Sequence, residues 1–310
     1  PVTSSELLPL KQTLGRVLAE NVTALRSNPP LPNTAVDGYG FSGPMPEGPQ
    51  VLPLIEGRAA AGIPFDGAVP AGMAIRILTG APLPQGVDTV ILEEDVTCDG
   101  RQIAFHGPLN KGANARRAGE DVSASDVIFS KGRLVTPADL ALAAATGLSE
   151  LPVRQQLRVG VLSTGDELVE VGDKAGKGQI YDANRPMLLG LLQQMGFAAV
   201  DLGRVKDDRD ALEERLDSAA EQVDVILTSG GASAGDEDHV SALLTEKGAI
   251  QHWRIALKPG RPLALGMWQE TPIFGLPGNP VAALVCTLIF ARPALGLMAG
   301  SEWAEPQGFD

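Results

Sequence analysis

Apolar residues follow two different rhythms along this chain. Up to about residue 156 they come as short runs between prolines and glycines, such as Ala74-Ile75-Arg76-Ile77-Leu78 and Thr89-Val90-Ile91-Leu92. Such runs predict short strands joined by tight turns. Two stretches in this half carry helical spacing instead. Pro9 to Asn21 puts Leu10, Leu14, Val17 and Leu18 on one face, and Thr136-Pro137-Ala138-Asp139 opens a segment through Thr146 that Gly147 ends. From about Leu157 strand and helix alternate. Arg158 to Leu162, Phe197 to Leu202, Val223 to Leu227, Trp253 to Leu257, Leu263 to Met267 and Pro272 to Leu276 read as strands. Helices are predicted after Asn184-Arg185-Pro186, with Leu188, Leu189, Leu192 and Met195 on one face, after Asp208, with Leu212 and Leu216, and from Pro280. The fold class predicted is α/β, with a mostly parallel sheet covered on both faces.

Composition narrows the function. With 310 residues the chain has room for two domains, and 44% hydrophobic against 20% charged residues is the balance of a folded globular protein. A net charge of −13 with 4% aromatics suits neither phosphate backbones nor base stacking, so no nucleic-acid partner is expected. The longest uninterrupted apolar stretch, Val281 to Phe290 around Thr287, is shorter than the ~20 residues of a membrane span, and no membrane partner is expected. Cys98 and Cys286 lack close-spaced partners and no signal peptide is visible, which points to a cytoplasmic protein. His106, His239 and His252 show no zinc spacing, so any metal is expected to be hard and oxygen-bound.

In parallel sheets ligands bind beyond the carboxyl ends of the strands. Four loops there combine glycine with polar groups: Ser163-Thr164-Gly165-Asp166-Glu167, Ser229-Gly230-Gly231 through Ser233 to Asp238, Lys258-Pro259-Gly260-Arg261-Pro262, and Leu276-Pro277-Gly278-Asn279-Pro280. Each alone reads as a turn; together they form a design for cradling an anion, with Ser229 and Ser233 as hydroxyl donors. Asn279 as N-cap and Pro280 at the first helical position aim a helix N-terminus at the same crevice. Asp166, Glu167, Asp236 and Asp238 sit beside these loops, where Mg2+ would relieve repulsion between carboxylate and phosphate; for Asp236 and Asp238 helix capping is the alternative. Lys258 and Arg261 lie on a stiff loop suited to an oxyanion, with a surface ion pair as the alternative. Glu213, Glu214 and Asp217 read as a solvated helix face.

These loops, in this order, resemble the MoeA family of molybdopterin molybdenumtransferases, whose eukaryotic counterpart is the gephyrin E domain. The likeness also takes in Leu14-Gly15-Arg16-Val17-Leu18-Ala19-Glu20, Pro32 to Tyr39, Leu78-Thr79-Gly80-Ala81-Pro82 and Ala118-Gly119-Glu120-Asp121. It implies a split dimerisation domain (1–42 and 131–156), an inserted β-rich domain (43–130), a molybdopterin-binding α/β domain (157–298), and at 299–310 the start of a C-terminal segment that in the family forms a β-barrel. It further implies a homodimer, with other proteins of cofactor biosynthesis as possible partners. The activity implied is Mg2+-dependent insertion of molybdate into adenylylated molybdopterin, releasing AMP; a non-catalytic molybdopterin-binding or gephyrin-like scaffold is the alternative. By the resemblance, Asp37, Asp121, Glu167, Asp207 and Asp238 are functional acids and Pro277 and Pro280 functional prolines. Thr79 and Arg116 match polar positions of the inserted domain, and Lys258 a molybdate-contacting lysine. Arg261 stands where the family usually has lysine, and Ala282 where it usually has serine.

Overall fold

A computed structural model describes residues 2–230, 239–247, 249–254 and 262–302. The chain separates into two compact units, one of residues 1–21, 130–140 and 150–310, the other of residues 22–129 and 141–149.

The first unit is built on a six-stranded sheet in the spatial order Ala198–Val205, Arg158–Thr164, Val225–Ser229, Thr271–Leu276, Pro262–Trp268, Ala249–Arg254. The first four strands are parallel and the last two pair antiparallel, so the sheet is mixed but mostly parallel. Alternation sorts its side chains to two cores. Val159, Val161, Val225, Leu227, Phe274 and Leu276 pack with Leu188 and Leu192 of the helix Asn184–Gln194 and with Ala283, Cys286, Ala291 and Leu295. Leu162, Ile226 and Ile273 pack on the other side with Leu212 and Leu216 of the helix Arg209–Gln222 and with Leu243 and Leu244 of the helix His239–Lys247. Burial on both faces is why these strands read as continuous apolar runs.

Local capping sets several boundaries where the sequence placed them. Asp208 Oδ1 accepts from the Ala211 amide at 2.9 Å, and Asn279 Oδ1 from the Ala282 amide at 3.1 Å with Pro280 in the first turn. Thr136 and Asp139 form a reciprocal box: Asp139 Oδ2 accepts from the Thr136 amide at 2.8 Å, and Thr136 Oγ1 from the Asp139 amide at 3.4 Å.

Three expectations are corrected. Pro9 to Asn21 is not a helix: Leu10–Gln12 makes one 3-10 turn and Gly15 adopts φ +73°. Arg16 to Ala19 then runs extended, its backbone bonded to Arg133, Val135, Pro152 and Arg154. Neighbours on both sides claim the groups a helix would pair internally. Asp217 is not merely solvated, because its Oδ1 accepts from the indole Nε1 of buried Trp268 at 2.8 Å. The uninterrupted run around Thr287 also understates the last helix. Helical structure continues from Pro280 to Met298 through a π turn at Thr287–Ala291, giving 19 residues that contain an 18-residue stretch of mean hydropathy 2.0. That is long and apolar enough to cross a membrane by length and composition, and Ala282, Ala283, Cys286, Ala291 and Leu295 of this helix are buried in the protein.

The second unit centres on a largely antiparallel sheet ordered Thr89–Leu92, Gly38–Phe41, Ala74–Ile77, Met45–Ala59, Gln102–Leu109, Thr97–Cys98. Phe41 and Phe105 stack at 5.6 Å in its core beside Ile91 and Ile103.

Candidate functional site

The carboxyl ends of the central parallel strands come level in the first unit: Ser163 pairs in register with Ser229, and Ser229 with Leu276. Three of the glycine loops start from this line. Gly230, at φ +94°, approaches so closely that a Cβ there would lie 2.6 Å from the Thr164 carbonyl oxygen, which brings the loops after two adjacent strands together. Ser163, Thr164 and Ser229 are buried. On the strand parity Ser163 and Ser229 share the face of Val159, Val161, Val225 and Leu227, on which the helix Asn184–Gln194 packs.

That helix supplies a residue the sequence reading missed. Asn184 Nδ2 donates to Ser229 Oγ at 2.7 Å and to the Gly278 carbonyl at 2.8 Å, so one carboxamide ties the central strand to the Pro277–Pro280 turn. An asparagine opening a helix reads as a cap; here the N-cap is Ala183, and the amide is used in tertiary contacts. Among the described residues, the buried Ser163 Oγ and Asn184 Oδ1 have no hydrogen-bond partner. Arg185 follows, with its guanidinium bound to Asp182, Asp201 and Glu170. Burial pushes Arg185 toward losing its proton, but Asp201 and Asp182 outweigh that and hold it above the ordinary guanidinium value.

Asp166 and Asp207 are joined reciprocally: Asp207 Oδ2 accepts from the Asp166 amide at 3.3 Å, and Asp166 Oδ1 from the Asp207 amide at 3.2 Å. Glu167 is next in the chain, and all three are exposed. This pair offers hard oxygens of the kind Mg2+ takes alongside substrate phosphate. Among the described residues no three His, Cys, Asp or Glu side chains converge as a metal cluster. Gly231, Ser233, Asp236, Asp238, Lys258 and Arg261 lie outside the described residues. Cys286 is buried, which pushes its thiol up and away from nucleophilic use.

The remaining sequence-predicted residues form two polar groups in the second unit. Asp37 Oδ1 accepts from both the hydroxyl and the amide of Thr79, each at 2.6 Å. The Thr79 hydroxyl, then its amide, hold the Asp37 carboxyl below its ordinary value despite some desolvation. Arg116 bonds Asp121 and, at 2.9 Å, Glu120, while Asn28 Nδ2 donates to Asp121 at 3.2 Å. Asp121, then Glu120, raise the Arg116 pKa. The strand Asn33–Thr34 links the groups: Arg116 pairs with Asn33, and the Gly80 amide donates to the Thr34 carbonyl at 3.0 Å.

Residues 1–147 match the MoeA N-terminal region (domain I and II), and residues 160–296 a probable molybdopterin binding domain. The chain is 40% identical over 311 residues to a molybdopterin molybdenumtransferase of Haemophilus influenzae, covering 99% of this chain and 76% of that protein. It is 38% identical over 304 residues to molybdopterin molybdenumtransferase 2 of Mycobacterium tuberculosis, covering 94% and 75%. A molybdopterin biosynthesis moeA protein of Pyrococcus horikoshii, solved by crystallography, matches with a TM-score of 0.80 and 31% identity over 96% of this chain and 75% of that one.

Proposed function

The chain belongs to the MoeA family of molybdopterin molybdenumtransferases, enzymes of molybdenum cofactor biosynthesis, and from that we propose that molybdopterin binds beyond Ser163, Ser229 and Leu276. The observation that carries this is that, at the carboxyl end of a parallel sheet, the buried Ser163 Oγ and Asn184 Oδ1 have no hydrogen-bond partner among the described residues. Buried polar groups are normally satisfied, and a bound ligand with donors and acceptors would satisfy these.

The reaction is the transfer of molybdate to adenylylated molybdopterin: the two dithiolene sulfurs replace two molybdate oxygens, which leave as water, one water's worth of oxygen is used in cleaving the phosphoanhydride, and the net products are molybdenum cofactor, AMP and one water. It gathers negative charge in one place, so catalysis is chiefly positioning and charge stabilisation. The Ser163–Glu167 loop, Ser229 with Gly230, Gly231 and Ser233, and the Pro277–Pro280 turn present hydroxyls and amides to the pterin and its phosphate. Lys258 and Arg261 meet the molybdate oxyanion. Asp166, Glu167, Asp207, Asp236 and Asp238 are the carboxylates suited to Mg2+, which when bound would neutralise phosphate charge. Asp37 with Thr79, and Asp121 with Arg116, serve as further functional polar groups. The protein works as a cytoplasmic homodimer. Exposed Leu288, Ile289 and Leu297 on the last helix support pairing, whereas the apolar helix expected at Pro9 to Asn21 does not form.

The test is AMP release from adenylylated molybdopterin with and without molybdate, across a magnesium titration. Molybdate-dependent release that needs Mg2+ is expected. Binding of molybdopterin without release would instead favour the scaffold. Light scattering at micromolar concentration should give twice the chain mass.

A further inference from the structure

We infer that Asn184 is a positioning residue: its carboxamide clamps the Pro277–Pro280 turn to the Ser229 end of the central strand and so presets the spacing of the loops that leave the strand ends. The inference rests on the molybdopterin reading above, and it concerns how the site is held rather than what it holds.

The Gly278 carbonyl can only accept, so the group facing it at 2.8 Å is the amide nitrogen. The second hydrogen of that nitrogen goes to Ser229 Oγ at 2.7 Å, which uses both donors of Asn184 on two different segments, a strand end and a turn. Asn279 is tied forward to the helix it caps, its Oδ1 accepting from the Ala282 amide and its carbonyl from the Ala283 amide at 2.9 Å, whereas Gly278 is tied back to the sheet through Asn184; Pro277 and Pro280 on either side carry no amide hydrogen. Asn184, by contrast, is built on an 11-residue helix whose start is fixed by the Arg185 ion pairs with Asp182 and Asp201. A group on a rigid element places a loop more accurately than one loop places another. Asn184 is 8% exposed, and its Oδ1 is left buried without a partner among the described residues. A ligand donor would relieve that cost, so the clamp favours the bound state twice, by shape and by an acceptor held ready.

The experiment compares the parent chain with Asn184→Ala, Asn184→Asp and Ser229→Ala. Each is measured for molybdopterin affinity by fluorescence titration, for amide exchange in residues 276–282, and for thermal unfolding. Asn184→Asp keeps size and an acceptor but loses both donors. Both Asn184 variants are expected to bind molybdopterin at least about tenfold more weakly, since two buried hydrogen bonds are lost. Exchange should speed up in 276–282 and stay unchanged in the strand Val225–Ser229. Ser229→Ala, which removes one anchor, should speed exchange of the turn by less. Parent-like affinity in the Asn184 variants, or weaker affinity with unchanged exchange of the turn, would overturn the inference. Should the Asn184 variants not fold, Ser229→Ala decides: parent-like exchange in its turn overturns the clamp. A parent that does not bind molybdopterin at all defeats the functional reading instead, while the exchange measurements still judge the clamp.

Discussion

Arg185→Met would remove a guanidinium whose side chain is only 11% exposed and leave its three carboxylates behind. The costs differ by partner. Asp182 is 2% exposed and receives Arg185 Nε at 3.0 Å, so it becomes a buried charge without its counterion, a loss of about 3 kcal/mol. Asp201 and Glu170 are roughly half exposed, and their pairs are each worth at most about 0.5 kcal/mol after solvent screening. About 3–4 kcal/mol is therefore expected, equivalent to a fall of about 6–16 °C in the melting temperature of a unit of this size. Urea unfolding at pH 7 followed by circular dichroism measures it. Restoring neutrality with Asp182→Asn in the same chain should recover more than half of the loss. The pH dependence has a definite sign. Burial pushes the Asp201 carboxyl up, but its bonds to Arg185 and to the Gly203 amide hold it below the ordinary value. Its contribution is thus present above the ordinary carboxylate pKa and disappears as pH falls through the lowered one. The Asp201 share of the gap between parent and variant, at most about 0.5 kcal/mol, should be present at pH 7 and fade as pH falls below about 4. A penalty under about 1 kcal/mol, or no recovery in the double variant, would refute the reasoning.

Asp217→Ala should cost about 1–3 kcal/mol because it strands the indole N–H of buried Trp268, whereas Asp217→Asn, which keeps an acceptor, should stay close to the parent in a thermal melt. Thr79→Val should raise the Asp37 pKa toward its ordinary value in an NMR titration, since the hydroxyl is the largest influence lowering it; an unmoved titration would show that the hydroxyl bond is not formed in solution. Gly38→Ala would put a Cβ 1.8 Å from the Ile91 carbonyl oxygen of the paired strand, and should make residues 22–129 readily cut by protease under conditions where the parent resists.

Features of this protein that depend on neighbours along the chain could be read from it directly. Strands buried on both faces appear as unbroken apolar runs, and the caps at Asp208, Asn279 and Thr136 with Asp139 act within three residues, so helices start where those residues stand. The glycine-bearing loops were visible because turn chemistry is local, and their order carried the family likeness. Tertiary structure decided the rest. The spacing of Leu10, Leu14, Val17 and Leu18 fits a helix, yet Arg16 to Ala19 is extended because segments more than a hundred residues away take its backbone hydrogen bonds. Asp217 looked solvated until Trp268 was brought beside it. Asn184 looked like a helix start, and its role depends on Ser229 and Gly278, 45 and 94 residues away, reaching the same point. Strand register sets Ser163, Ser229 and Leu276 level, and register is a property of paired strands rather than of any one of them.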